Sequence, residues 1–270
     1  LIIIVGILAA TGIYALVDMI SVLNNNQRAG SPIFFRCFEL IAVIIAPFFF
    51  LFAFDFGQPN DCCTDSAFFS PSHRLTIYVL IFLSIWAYYY SSFRNKTAPP
   101  LLELLVNCLL GTGLVLCLFI GIHTKDLLLW LSGIPAVLFF FISQMVLNHR
   151  LLLTELAEQE VTSAHTLNNF FLSILRANVF IKFPLLLVLS IPVLLFLSLL
   201  FYVFGQRPDS VIRAFTETYK HGFSQLDYQC ENVQCGGHYL CSVAANGHKQ
   251  VVKPVRIGKR NGHFIKCNRQ

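Results

Sequence analysis

The densest run of chemistry-bearing residues lies near the C-terminal end. It reads Cys230-x4-Cys235-x2-His238-x2-Cys241, and Cys267 returns further on. Zinc takes four thiolate or imidazole ligands in a tetrahedron, commonly from two short knuckles. Cys235-Gly-Gly-His238 makes one knuckle, with glycines that let backbone N–H groups approach a ligand sulfur. The second is not a clean Cys-x2-Cys. A zinc site on Cys230, Cys235, His238, Cys241 and Cys267 is one expectation, and zinc is the only cofactor these residues point to. Disulfide bonding is its rival, because Cys62 and Cys63 are adjacent in a loop on the tail's side of the membrane, and an oxidising compartment would pair such cysteines. Free thiols in a tail without a site are the third reading.

A second polar set interrupts long apolar runs: Asp18, Arg36, Glu39, Glu103, Asn107 and Gln144. Each falls near the same end of its run, within about 10 Å of one interface at 1.5 Å rise per residue. Asp18 shares a stripe with Thr11 and Tyr14. Glu103, Asn107 and Gly111 form an i, i+4, i+8 line, and Arg36 and Glu39 can pair at i, i+3. Ionisable residues inside a membrane mark ion, proton or substrate sites, so a polar cavity open to that side is one reading. Interfacial snorkelling with a few interhelical hydrogen bonds is the other.

The elements that position both sets are membrane helices. Hydrophobic residues make up 56% of the chain and charged residues 12%, against about 25% charged in soluble domains. A soluble fold of 270 residues cannot bury that much apolar surface, whereas a bilayer can. Six runs are long enough to span, at about 1–22, 33–54, 75–93, 101–122, 127–147 and 183–204. Pro47, Pro135, Pro184 and Pro192 lie in or near spans, where neighbouring groups can satisfy the freed carbonyls. Trp86 and Tyr88, Tyr89 and Tyr90 fit an interfacial aromatic belt. Residues 149–180 read as an amphipathic helix, either prolonging the fifth span or lying on the membrane surface. The chain opens inside an apolar run and ends in a polar one, so a fragment is expected.

Residues 205–270 form an extramembrane, basic, Cys/His-rich domain. They hold 10 Lys and Arg against 4 Asp and Glu, whereas residues 1–204 hold 9 against 10. Asn246-Gly247 and Asn261-Gly262 are hairpin-turn signals, because both turn positions need positive φ. They predict a β-meander with strands at 239–245, 248–257 and 263–267, too small to have its own core. The fold class is thus an all-α polytopic membrane protein of about six transmembrane helices with a small C-terminal β-meander.

Let side A hold the loops between spans 1–2, 3–4 and 5–6, and side B the other loops and the tail. Near the membrane, side A carries Arg28, Arg36, Arg94, Lys96, Arg150, Arg176 and Lys182. Side B carries Arg74, Lys125, Arg207, Arg213 and Lys220. The short-loop count favours side A as cytoplasmic, the basic distal tail opposes it, and the side of the tail stays open. The tail's Lys253, Arg256, Lys259 and Arg260 could meet anionic lipid or a protein partner. Nucleic acid does not fit, for want of interleaved aromatic residues. No His-Glu-x-x-His, Gly-x-Ser-x-Gly or P-loop occurs, so no catalytic residues can be named and an enzyme is disfavoured.

The string from Cys235-Gly-Gly-His-Tyr-Leu-Cys through Asn246-Gly-His248, with Val252-Lys-Pro and Cys267-Asn-Arg-Gln270, resembles the C-terminal signature of an uncharacterised family of bacterial multi-pass membrane proteins of the Bacteroidota type. The resemblance covers about the last fifth of the chain. It implies a bacterial inner-membrane location and supplies no reaction. Two functions are expected from the whole: a membrane-anchored metal-binding or regulatory protein acting through its tail, or a transporter or channel-like protein using its intramembrane acidic residues. An intramembrane enzyme comes third.

Overall fold

Apolar runs of about 20 residues can cross a bilayer only with their backbone groups paired within the segment, which makes each a helix. The computed structural model describes residues 2–63, 66–127, 129–158, 166–230, 255–260 and 263–268. Its helices are α1 (Ile2–Asn25), α2 (Pro32–Leu40), α3 (Ala46–Phe54), α4 (Arg74–Phe93), α5 (Pro100–Thr124), α6 (Ile134–Glu158), α7 (Thr166–Arg176), α8 (Val179–Val203) and the short α9 (Ser210–Thr216). Six segments are long and apolar enough to cross a membrane: Gly6–Asn25, Pro32–Phe54, Arg74–Phe93, Pro100–Thr124, Leu129–Glu155 and Ile181–Val203. The chain therefore has the architecture of a multi-pass helical membrane protein.

Two spans contain a wide turn. The second runs α2, a π-helical turn at Ile41–Ile45, then α3; the fifth begins with a π turn at Leu129–Gly133 before α6. Each wide turn stands just ahead of a proline, Pro47 or Pro135. A proline cannot donate to the carbonyl four residues back and its ring crowds that carbonyl, and a locally widened helix relieves the conflict.

The bundle is organised around α5, which packs against α4, α6, α7 and α8, while α1 packs along α6. Van der Waals fit drives helix association in lipid, and small residues permit the closest approach. Gly113 is such a residue. A Cβ there would lie 2.7 Å from Phe141 and 2.8 Å from Ser84 Cβ. Tyr88, expected in an interfacial belt, is instead fully buried and stacks on Phe141 with ring centroids 5.0 Å apart. Trp86 keeps the belt character, with half its surface exposed and its ring stacked on Tyr90. On the opposite side of α5, α8 leaves Val188, Ile191, Leu195, Phe196 and Leu199 exposed, an apolar face suited to lipid.

The amphipathic stretch divides. α6 prolongs the fifth span to Glu158, and α7 is a separate helix from Thr166. In the tail, β1 (Val255–Arg260) pairs antiparallel with β2 (His263–Asn268), with Arg260 opposite His263. Among the described residues the structure thus has a two-stranded hairpin, and the expected three-stranded meander is not supported. The expected strand at 239–245 lies outside the described residues. Gly113→Ala tests the close packing of α5. Overpacking of this kind costs about 1–3 kcal/mol, so the thermal midpoint in detergent should fall; an unchanged midpoint would show that α4 and α6 stand further off.

Candidate functional site

At side A, three carboxylates are withdrawn from solvent: Asp18 at 0% exposure, Glu39 at 1% and Glu103 at 1%. An ion cannot stay buried without compensation, and each has an arginine. Arg28, from the loop after α1, donates to Asp18 at 2.7 Å and also to Gln144 of α6. The backbone N–H of Ala29 donates to the other Asp18 oxygen at 2.9 Å, and Tyr14 donates to the Ala29 carbonyl at 2.6 Å. Four contacts therefore pin one loop. Arg36 donates to Glu39 at 2.6 Å and to the Ser92 hydroxyl at 2.8 Å, while that hydroxyl donates to the other Glu39 oxygen at 2.7 Å. Arg94, just beyond α4, grips both Glu103 oxygens in a two-pronged pair. Asn107 donates to the same carboxylate at 3.0 Å.

All six residues predicted for an intramembrane pocket thus sit at this end of the bundle. They do not form one acidic pocket. Asp18, Glu39 and Glu103 stand behind the wall of a cavity of about 600 Å³ and hold its arginines in place. Arg28, Arg36, Arg94 and Arg150 line it, with Ser91, Ser92, Asn95, Gln144 and Asn148. Arg150 differs from the other three. It donates to the carbonyls of Val22 and Leu23 at the end of α1, at 2.6 and 3.0 Å, and has no carboxylate partner among the described residues. A neighbouring buried pair joins Lys182 of α8 to His149 Nδ1 of α6 at 3.1 Å.

Side B is closed by a cap. The segments 57–63, 66–73 and 207–230 fold over the ends of α4 and α5, with Phe68, Phe69, Ala214 and Phe215 packed on Ile77, Leu80 and Leu116. Asp55 organises the near edge by accepting from Phe69 N at 2.7 Å and from the Tyr78 hydroxyl. Burial raises the Asp55 carboxyl above its ordinary 3.8, against the opposing effects of Tyr78, the Phe69 N–H and Arg74. A carboxyl raised in the folded state binds its proton more tightly there than when unfolded. Its contribution is therefore fully present below 3.8 and is lost as pH climbs through the folded value. His123 and His221 fasten the cap by bonding the carbonyls of Phe68, at 2.8 Å, and of Ser66 and Ala67, both at 3.1 Å. Gly222 is required at that junction, since a Cβ there would lie 2.5 Å from the Ile122 carbonyl oxygen.

A disulfide between Cys62 and Cys230, with Cα atoms 5.3 Å apart, joins the two cap segments. Cys63 is disulfide-bonded as well. This corrects one member of the expected zinc set, because a disulfide sulfur is not the thiolate that zinc requires. Cys235, His238 and Cys241 lie outside the described residues, and Cys267 falls on β2. Among the described residues no three His, Cys, Asp or Glu side chains converge as metal ligands.

The cap also contains a serine, an imidazole and a carboxylate in series. Ser210 Oγ is 3.0 Å from His73 Nδ1, and His73 Nε2 is 3.3 Å from Glu217. These are the residue types of a nucleophile, its base and an orienting acid. The Ser210 residue is only 1% exposed. The three act as ties between the loop before α4 and the segment around α9.

Comparison with known families is decisive over most of the length. The DUF6688 N-terminal domain model matches residues 1–227, and the DUF6688 C-terminal domain model matches residues 236–270. The chain belongs to the DUF6688 family. No curated protein and no solved structure matches it. The N-terminal DUF6688 domain extends past the last span to include α9, in keeping with the packing of α9 on α4.

The residues of this DUF6688 chain that sequence reasoning missed are the loop and span-end partners Arg28, Ser92, Arg94, Asn148 and Arg150. Their signal was present, since four of the five are basic or hydroxylic residues at the same side-A ends as the acids. Removing one partner of a buried ion pair costs about 3–5 kcal/mol, so Glu103→Ala should lower the thermal midpoint sharply. Stability equal to wild type would mean that Glu103 is solvated. At the other end, Cys62→Ser should expose the Cys230 thiol to alkylation and destabilise the protein by about 2–5 kcal/mol. A Cys230 already alkylated in the unreduced wild type would rule out the bond.

Proposed function

We propose that the chain is a solute-binding membrane protein of the transporter or channel type, with its ligand site in the side-A cavity. The observation that carries this reading is a cavity of about 600 Å³, lined by polar and charged side chains from three spans and two connecting loops, at one end of an apolar bundle. Its size lies within the range of small-molecule sites. Ionisable groups held at membrane depth with named partners are the usual mark of such a site. The opposite end is closed by the aromatic cap, so the arrangement corresponds to a site open to one side only.

The cap supports an orientation. Disulfides persist in oxidising compartments and are rare in the cytosol, and Cys62–Cys230 lies at side B. Side A is then the cytoplasmic face, in agreement with the positive-inside count over short loops. In a bacterial inner membrane the tail would face the periplasm. The zinc reading of the tail retains as candidate ligands His238 and those of Cys235, Cys241 and Cys267 that do not pair with the disulfide-bonded Cys63. A rise of one zinc per chain by metal analysis of the purified protein would establish it.

Leu147 lines the cavity and belongs to none of its ion pairs. With the exposed Cys37 replaced by serine, Leu147→Cys should react with a charged, membrane-impermeant thiol reagent in inside-out vesicles and resist it in right-side-out vesicles. Labelling only in right-side-out vesicles would reverse the orientation. No labelling in either would show that water does not enter the cavity, and the solute-binding reading would fail.

A further inference from the structure

The cavity is charged in a particular way. The three buried carboxylates behind its wall are each paired with an arginine, and a fourth guanidinium, that of Arg150, has no carboxylate partner among the described residues. Four guanidiniums against three carboxylates leave one positive charge in excess. The acids stand behind the wall and the guanidiniums form it, so a ligand in the cavity meets donors first. Guanidinium forks match the two oxygens of a carboxylate or phosphate, and low-dielectric walls strengthen the attraction.

We propose that the side-A cavity of this chain binds an oxyanion, the carboxylate or phosphate group of a small solute, with Arg150 supplying the uncompensated charge and Arg28, Arg36 and Arg94, held in place by their acids, the rest of the cationic wall. The inference rests on the solute-binding reading above and narrows it to an anionic class. It also reverses the role expected of the acidic residues. Asp18, Glu39 and Glu103 are positioning residues that orient arginines and do not themselves meet the solute. A solute cation would instead face a wall of like charge.

The experiment uses the full chain in neutral detergent and in nanodiscs, titrated calorimetrically with inorganic phosphate and with succinate at constant ionic strength. Saturable binding of either is expected, weakened tenfold or more in Arg150→Gln. Because Arg150 also caps α1, a second variant keeps folding apart from binding. Asn95→Asp places a negative charge at an exposed rim position and should weaken oxyanion binding by a similar factor with an unchanged thermal midpoint. If phosphate and succinate fail but a short-chain phosphatidylglycerol binds with the same dependence on Arg150 and Asn95, the oxyanion assignment stands and its source is a lipid headgroup. If none of the three binds while Leu147→Cys is still labelled from side A, the oxyanion inference is overturned and the cavity reading survives. Sodium or ammonium binding that strengthens in Asn95→Asp would overturn it too.

Discussion

Three carboxylates removed from water set the terms for half of this molecule. A buried carboxylate must be matched by a partner charge and by hydrogen bonds, or the fold does not hold it. Asp18, Glu39 and Glu103 meet that demand by drawing in Arg28, Arg36 and Arg94. Two of those arginines come from interhelical loops, so neutralising the acids also fixes the course of the chain between spans. The loop after α1 is held by both Asp18 oxygens, and the end of α4 by Glu39 through Ser92. The cavity is a consequence of this arrangement, since its walls are the outer faces of side chains held from behind.

The two ends of the bundle solve different problems. At side A, charged groups are paired across helices and leave a polar hollow. At side B, the chain is drawn over the helix ends by aromatic packing, histidine-to-carbonyl bonds and a disulfide. α5 connects them and tolerates close neighbours because Gly113 and Gly121 have no side chains where the neighbours come nearest. Helices with little hydrophobic reason to associate in lipid depend on such contacts and on polar ties. The Asn107 bond to Glu103 is one of those ties, within the first two turns of α5.

Much of this was open to a reader of the sequence, for identifiable reasons. The spans were legible because a bilayer imposes a length of about 20 apolar residues on any helix that crosses it. The Arg36–Glu39 pair was legible because i, i+3 neighbours meet on any helix. The grouping of Asp18, Glu103 and Gln144 at one face followed from counting along alternating spans. Tyr88 misled because an aromatic run near a span end resembles an interfacial belt, and only the approach of Phe141 from α6 turns it inward. For Cys230 the sequence left zinc and a disulfide to the Cys62–Cys63 loop both open, and only the structure chose the disulfide. The near neighbours of Cys230 in sequence are cysteines and a histidine, while its partner, Cys62, lies 168 residues away.

The sequence alone therefore determined the class of molecule, the number of spans, and the face on which the polar residues gather. Each depends on local periodicity and on the fixed thickness of the membrane. Only the tertiary structure decided which arginine each acid holds, that the acids lie behind the wall rather than in it, and that side B is closed. Those outcomes depend on groups from loops and spans far apart in the chain, brought within about 3 Å, where desolvation makes charge pairing obligatory. No pattern of spacing along one strand of sequence encodes that proximity.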